Sequence, residues 1–332
     1  MIDAFRDRLV IPLREDGDIV GFTARRNPAN DDREQAGPKY VNTGRTIAYD
    51  KSSHLYGLTE AAAGGLLPGA RPVLVEGPLD AWAVTAATGG THFGVAPLGT
   101  SLTDPQADQL MAYIGEGRPG VVVATDPDAA GAAAAERAYW ALTTRRDNPG
   151  HLALPDGIDP ADYLTGYGPH ALSEALAQAA PLADALIERR SVGRDAFVET
   201  RVWALHQGAR VVAALPPDQW PARIEQLVAR LDVLPEVASG EVTEAATSWT
   251  AHLRQMSTFT HPRTAPAAAP DVPPGAPEAP SGAPRRRRSL ASRLDDTDPE
   301  LAIGRRRGRP AELPEAGRRP DRDHPAGPDI RI

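Results

Sequence analysis

Three groups of acids sit where they can do joint chemistry. Glu76 ends a short apolar run and is followed by Gly77, with Asp80 four residues on and able to face the same way on a following helix. Asp126 and Asp128 directly follow Val121 to Thr125, and Pro127 between them has a fixed φ. Asp156, Asp159 and Asp162 follow His151 to Pro155. Carboxylates gathered at one rim repel each other unless a cation sits among them, and an oxygen-only donor set suits Mg²⁺ or Mn²⁺. Taken singly, Asp126 and Asp128 also suit the cap of a helix starting near 129, and Glu76 a solvated strand end. Their joint placement at the ends of predicted strands of one sheet favours the metal.

Other chemistries are excluded or unsupported. The absence of Cys removes disulfides, thiolate zinc sites, iron–sulfur sites and cysteine nucleophiles, so no zinc is expected. The eight His show no ligand spacing, and no Gly-rich phosphate loop or dinucleotide fingerprint is present. Of 36 basic residues only Lys39 and Lys51 are lysine, which marks both as candidates for a role needing a compact ammonium.

Charge is unevenly placed. The 332 residues carry a formal net charge of −8, yet residues 263–332 hold 14 Arg against 11 acids, so the acidity lies in the rest of the chain. That stretch also has 13 Pro and no Phe, Trp or Tyr. It cannot bury enough apolar surface to offset its ordering entropy, and a disordered Pro/Arg-rich tail is expected. No apolar run reaches membrane-spanning length and no signal peptide is visible, so a soluble, cytoplasmic protein is expected.

The elements that must position the acids follow from the pattern. Continuous apolar runs at 72–76, 93–97, 121–125 and 151–155 suit strands buried on both faces. Helical patterns near 79–88, 103–115 and 129–145 lie between them, which predicts an α/β fold with a parallel sheet flanked by helices. In such sheets ligands bind outside the carboxyl ends of strands, where these acids collect. Upstream, Arg8 to Leu13 and Asp18 to Arg26 flank Glu15-Asp16-Gly17 and predict a hairpin in a small antiparallel lobe. Downstream, Ile224, Leu227, Val228 and Leu231 follow helical spacing after Pro221, within a helical lobe. The expected divisions are 1–66, 67–180, 181–255 and a tail at 256–332.

The chain resembles the Toprim-containing catalytic core of bacterial DnaG-type DNA primases. VEGPLDAWAV, APLGTSLTDPQ and TDPDAAGAAAAERA are similar to its three Toprim motifs, and FRDRLVIPLREDGDIVGFTARR, PKYVNT and YDKSSHLYGL to the lobe that precedes them. The similarity runs from Phe5 to about Arg190 and is weaker to about Leu234. It implies that Glu76, Asp126 and Asp128 are catalytic and metal-binding, supported by Asp80 and Asp159. It also implies that Arg8, Arg25, Lys39, Tyr40, Asn42 and Lys51 line a groove for nucleic acid or nucleotide. Ala161 departs from a common second acid, with Asp162 as a candidate substitute. The implied activity is Mg²⁺-dependent synthesis of RNA primers from ribonucleoside triphosphates on single-stranded DNA, with a replicative helicase as a candidate partner and no membrane. The family's N-terminal zinc-binding domain is expected to be lacking, which puts initiation in question. An accessory DNA-binding fragment and a Toprim metal-dependent nuclease are the alternatives.

Overall fold

A computed structural model describes residues 5–30, 37–59, 66–99, 101–115, 120–192 and 197–259. Strands β1 (Arg8–Glu15) and β2 (Asp18–Arg26) form the expected antiparallel hairpin, turning through Asp16 and Gly17 at φ 49° and 88°. Positive φ at both central residues matches the twist that a two-residue hairpin needs. A third strand, β3 (Tyr40–Asn42), pairs antiparallel with β2, aligning Thr23 with Asn42 and Arg25 with Tyr40.

The larger sheet is built from β4 (Arg71–Val75), β5 (His92–Val95), β6 (Val122–Ala124), β7 (Gly150–His151) and β8 (Ala180–Pro181), in the order β5-β4-β6-β7-β8. Pairs from β5 to β7 are parallel, as the apolar runs predict, whereas the edge strand β8 is antiparallel to β7. The sheet is therefore mixed at one edge. Two residues carry no periodicity from which that strand is readable.

Both faces of the sheet are buried. Leu74, Phe93, Val95 and Val123 face one core, which α2 (Asp104–Ile114) and α3 (Ala129–Thr143) cover. Val73, Val75, Val122 and Ala124 face the other, beneath α1 (Pro78–Ala87) and α4 (Pro160–Ala177), and this second core continues into Ile11 and Leu13 of the hairpin. Each Val, Leu, Ile or Phe among them contributes about 1.5–3 kcal/mol through burial. Helix α1 lies hard against β5, since a side-chain carbon on Gly94 would stand 2.2 Å from the Ala81 Cα. This close approach fixes the start of α1, and with it Asp80.

Four further helices extend the first core: α5 (Leu182–Ser191), α6 (Val198–Ala213), α7 (Trp220–Leu231) and α8 (Pro235–Phe259). Leu227 and Leu231 of α7 are fully buried, with Ile224 and Val228 packed beside them. The Tyr139 hydroxyl donates to the Val211 carbonyl at 2.7 Å, and Arg189 and Arg190 of α5 both pair with Glu136 of α3. The tail expectation falls, from residue 260 onward, outside the described residues. Among the described residues no helix is long and apolar enough to cross a membrane.

Candidate active site

The strand ends set the acids in place. Val75 and Ala124 are register partners on β4 and β6, so the residues just beyond them leave the sheet side by side. The Asp126 N–H donates to Glu76 Oε1 at 3.1 Å, closing that gap. Gly77 is the N-cap of α1 and Pro78 its first residue, which brings Asp80 into the first turn. Asp128 is the N-cap of α3, its Oδ1 accepting from the Gly131 N–H at 2.7 Å, and Asp159 caps α4 in the same way through the Asp162 N–H at 2.7 Å. The capping role open for Asp128 in the sequence is therefore real, while its second oxygen makes no bond to that cap. Gly131 is required there, because a side-chain carbon would lie 2.0 Å from the Asp126 carbonyl oxygen.

Glu76, Asp80, Asp126, Asp159 and Asp162 border one cavity of about 340 Å³. Asp80 is buried, and burial, with the Asp159 charge adding, pushes its carboxyl up to about 7 against backbone N–H bonds from Ala161 and Gly77. Asp126 is raised to about 6 by burial, then by Glu76 and Asp159, with Lys39 opposing. The N-termini of α1 and α4 and crowded carboxylates thus meet on one wall of this cavity.

The opposite wall is one face of the small sheet. Thr23 and Arg25 alternate along β2, Tyr40 and Asn42 lie across from them on β3, and all four border the cavity together with Lys39. The Arg25 guanidinium lies 5.5 Å from the Tyr40 ring centroid. Burial pushes the Tyr40 phenol up to about 12, with Arg25 opposing, so it stays a hydrogen-bond donor at neutral pH. Asn42 Nδ2 donates to the carbonyl of Leu98, which holds a φ of 55°.

Three expected residues stand outside this cavity. Asp128 borders a smaller adjoining one that it shares with Asp126. Lys51 lies beside the cavity-lining Gly99, its Nζ 3.6 Å from where a side-chain carbon would begin. Arg8 donates to the carbonyls of Pro38 and Lys39 at 2.9 and 3.5 Å, bracing the segment that carries Lys39. Thr23 and Leu98 border the cavity without having been singled out in the sequence.

Among the described residues no three acid or histidine side chains are drawn together tightly enough to enclose an ion as they stand. The donor set nevertheless fits a hard cation. All its donors are carboxylate oxygens, two of them raised by burial and then by neighbouring carboxylates, and Mg²⁺ is commonly held by one or two carboxylates plus phosphates and water.

Comparison with known proteins agrees with this architecture. Residues 1–62 match the family model for the N-terminal domain of the DNA primase catalytic core, and residues 73–164 match the Toprim-like model. The DNA primase of Streptomyces coelicolor is 34% identical over 223 residues, covering 64% of this chain and 33% of that protein. The chain thus spans about a third of the length of the curated relatives it matches. A DNA primase domain from Pseudomonas aeruginosa superposes with a TM-score of 0.57 at 26% identity, covering 73% of each chain. The RNA polymerase domain of Mycobacterium tuberculosis primase DnaG, in complex with a double-stranded DNA oligomer with a 6-nucleotide overhang, gives 0.55 at 30% identity, covering 69% of this chain and 72% of that one. With both of its lobes matched in order, the chain belongs to the DnaG-type DNA primase catalytic-core family.

Proposed function

We propose that the chain carries out template-directed ribonucleotidyl transfer, extending RNA on single-stranded DNA with Mg²⁺ or Mn²⁺. The supporting observation is the meeting of carboxylates from β4, β6 and α4 with Arg25 and Lys39 across one cavity. In this reading 1–66 supplies the cationic wall, 67–180 the acidic one and 181–255 a helical buttress.

Glu76, Asp126 and Asp128 would hold the divalent cations, with Asp80 and Asp159 alongside. When bound, such cations offset charge on phosphoryl oxygens and assist the attacking and leaving oxygens. Asp126 is held in position by the strand-end bond to Glu76, and Asp128 by its cap. Lys39 and Arg25 face the acids and bind phosphate, Lys39 as a point charge and Arg25 held against Tyr40. Lys51 adds charge at the Gly99 end. The M. tuberculosis relative was solved with DNA, which supports a nucleic-acid partner here. A helicase partner is part of the same proposal.

Primer extension and de novo synthesis on single-stranded DNA, with labelled ribonucleotides and Mg²⁺ or Mn²⁺, test the proposal. Synthesis that an Asp126→Ala/Asp128→Ala double variant abolishes is expected. DNA binding without incorporation would leave an accessory binding module, and metal-dependent cleavage of DNA would favour a nuclease.

A further inference from the structure

A cavity of about 580 Å³, larger than the acid-lined one and sharing no residue with it, opens in the helical lobe between α8, α6 and the C-terminal end of α3. Its size is that of a small-ligand site. One wall is a single stripe of α8, in which Glu241, Glu244, Ser248, Trp249 and His252 recur at helical spacing. Ala238 and Val242, earlier on α8, are fully buried in the core, so the helix turns from apolar packing to charge and aromatic rings where it meets the cavity.

The rings lie together. Trp140 of α3 stands 5.7 Å from Trp249 between ring centroids, and Trp249 stacks on His252 at 5.6 Å. The Arg210 guanidinium, from α6, lies 5.8 Å from the Trp140 centroid. Two charged groups beside these rings are unspent. Glu241 is engaged by His206 at 2.6 Å, whereas among the described residues Glu244 makes no hydrogen bond or ion pair, and Arg210 makes none beyond its ring contact. Both are exposed, so their atoms can meet a ligand.

This combination restricts the occupant. A phosphate would pair with Arg210 but meet two carboxylates. An alkyl chain would cover Arg210 and Glu244 while pairing neither. A lone cation would suit Glu244 and the indoles but face Arg210. A flat heteroaromatic ring with donors and acceptors on its edge satisfies all of them, because every base has a face that stacks on an aromatic side chain. Among bases, guanine offers O6 and N7 together to an arginine fork and its amine to a carboxylate, whereas adenine sets an amine beside its N7.

We propose that this cavity binds a guanine base, with Arg210 donating to O6 and N7, Glu244 accepting from the amine edge, and Trp249 and His252 supplying the stacking surface. The inference is independent of the nucleotidyl-transfer reading. A free guanine nucleotide and a guanine unstacked from a single strand share this chemistry.

The test is equilibrium binding to the full chain, without divalent cation, of GMP, AMP and an oligothymidylate with or without one central guanine. GMP is expected to bind about tenfold more tightly than AMP and to quench tryptophan emission. Glu244→Ala should bring GMP to the AMP level at an unchanged melting temperature, since the side chain is exposed and Ala suits a helix interior. Arg210→Lys, which keeps the charge without the fork, should lose part of the preference. An Asp126→Ala/Asp128→Ala variant should keep all of it, which separates this site from the acid-lined cavity. A GMP preference without any gain from the guanine in the oligonucleotide assigns the site to free nucleotides, and a Glu244-dependent gain in the oligonucleotide without GMP binding assigns it to a strand. Equal binding of GMP and AMP with no oligonucleotide gain overturns the proposal. So does a preference that survives in Glu244→Ala or vanishes in the Asp126/Asp128 variant.

Discussion

The two walls of the cavity are made in opposite ways. The parallel sheet is buried on both faces, so the carboxylates it presents are confined to where strands stop and helices begin: Glu76, Asp126, Asp128 and Asp159. The small antiparallel sheet instead offers a whole face, and Thr23, Arg25, Tyr40 and Asn42 border the cavity from alternate positions along paired strands. End-mounted groups are positioned by backbone bonds and caps. Face-mounted groups are positioned by register, so a one-residue slip of β3 against β2 would turn Tyr40 and Asn42 away from the cavity.

The sharpest way to break this division is at the strand ends. Asp126→Asn should retain the fold and lower primer extension on the order of 10³-fold, read by gel with labelled ribonucleotides. Activity within tenfold of the wild type would remove Asp126 from the reaction. Asp128 separates its two roles by chemistry, because Asn caps a helix about as well as Asp. Asp128→Asn should therefore keep the melting temperature and lose roughly 10²-fold in extension, whereas Asp128→Ala should lose activity and about 1 kcal/mol of stability. Equal activity of Asp128→Asn and wild type would make the residue a cap and nothing more.

On the face-mounted side the effects are smaller. Lys39→Ala should weaken single-stranded DNA or nucleotide binding about tenfold and make its salt dependence shallower by about one contact, measured by titration across salt concentrations. An unchanged slope would take Lys39 off the phosphates.

The smallest effect concerns pH. Asp80 titrates at about 7 in the folded protein against an ordinary 3.8, so the fold holds a proton that the unfolded chain has released. Stability from this group is full below about pH 4 and is lost as pH rises through 7. Asp80→Asn should therefore gain a few degrees over the wild type at pH 8 without metal and little at pH 4, and Mg²⁺ should narrow the gap at pH 8. A gap independent of pH would show that Asp80 is not the titrating group.

The acids were legible because a charged residue after an apolar run marks a buried strand's end whatever the tertiary detail. The burial of Asp80 was not, since it depends on α4 approaching through the Ala161 N–H. Helix α4 itself breaks at Gly168, whose φ of 84° is non-helical, just before Pro169, so its two halves carry no single helical period to read in the sequence. Strand β3 is too short to show alternation, and Thr23 is an ordinary strand residue until its partner across the ladder is known. Lys39 and Lys51 stand out by rarity and by the family resemblance, and the structure places one in the cavity wall and the other beside it.

Gln106 lies at the start of α2, fully buried and away from the carboxylates. Its Oε1 accepts from the Thr103 N–H, while its Nε2 reaches the carbonyls of Lys51, His54 and Pro97. This amide, with Thr103 Oγ1 donating to the Ser52 carbonyl and Gln109 Nε2 to the Ser53 carbonyl, splices the Lys51 loop, which belongs in sequence to the small lobe, onto the frame of the large one. Lys51 rides with the parallel sheet rather than with the hairpin. The wiring of the chain and the wiring of the machine differ at this joint, and a substitution at Gln106 would detune a cation that it never touches.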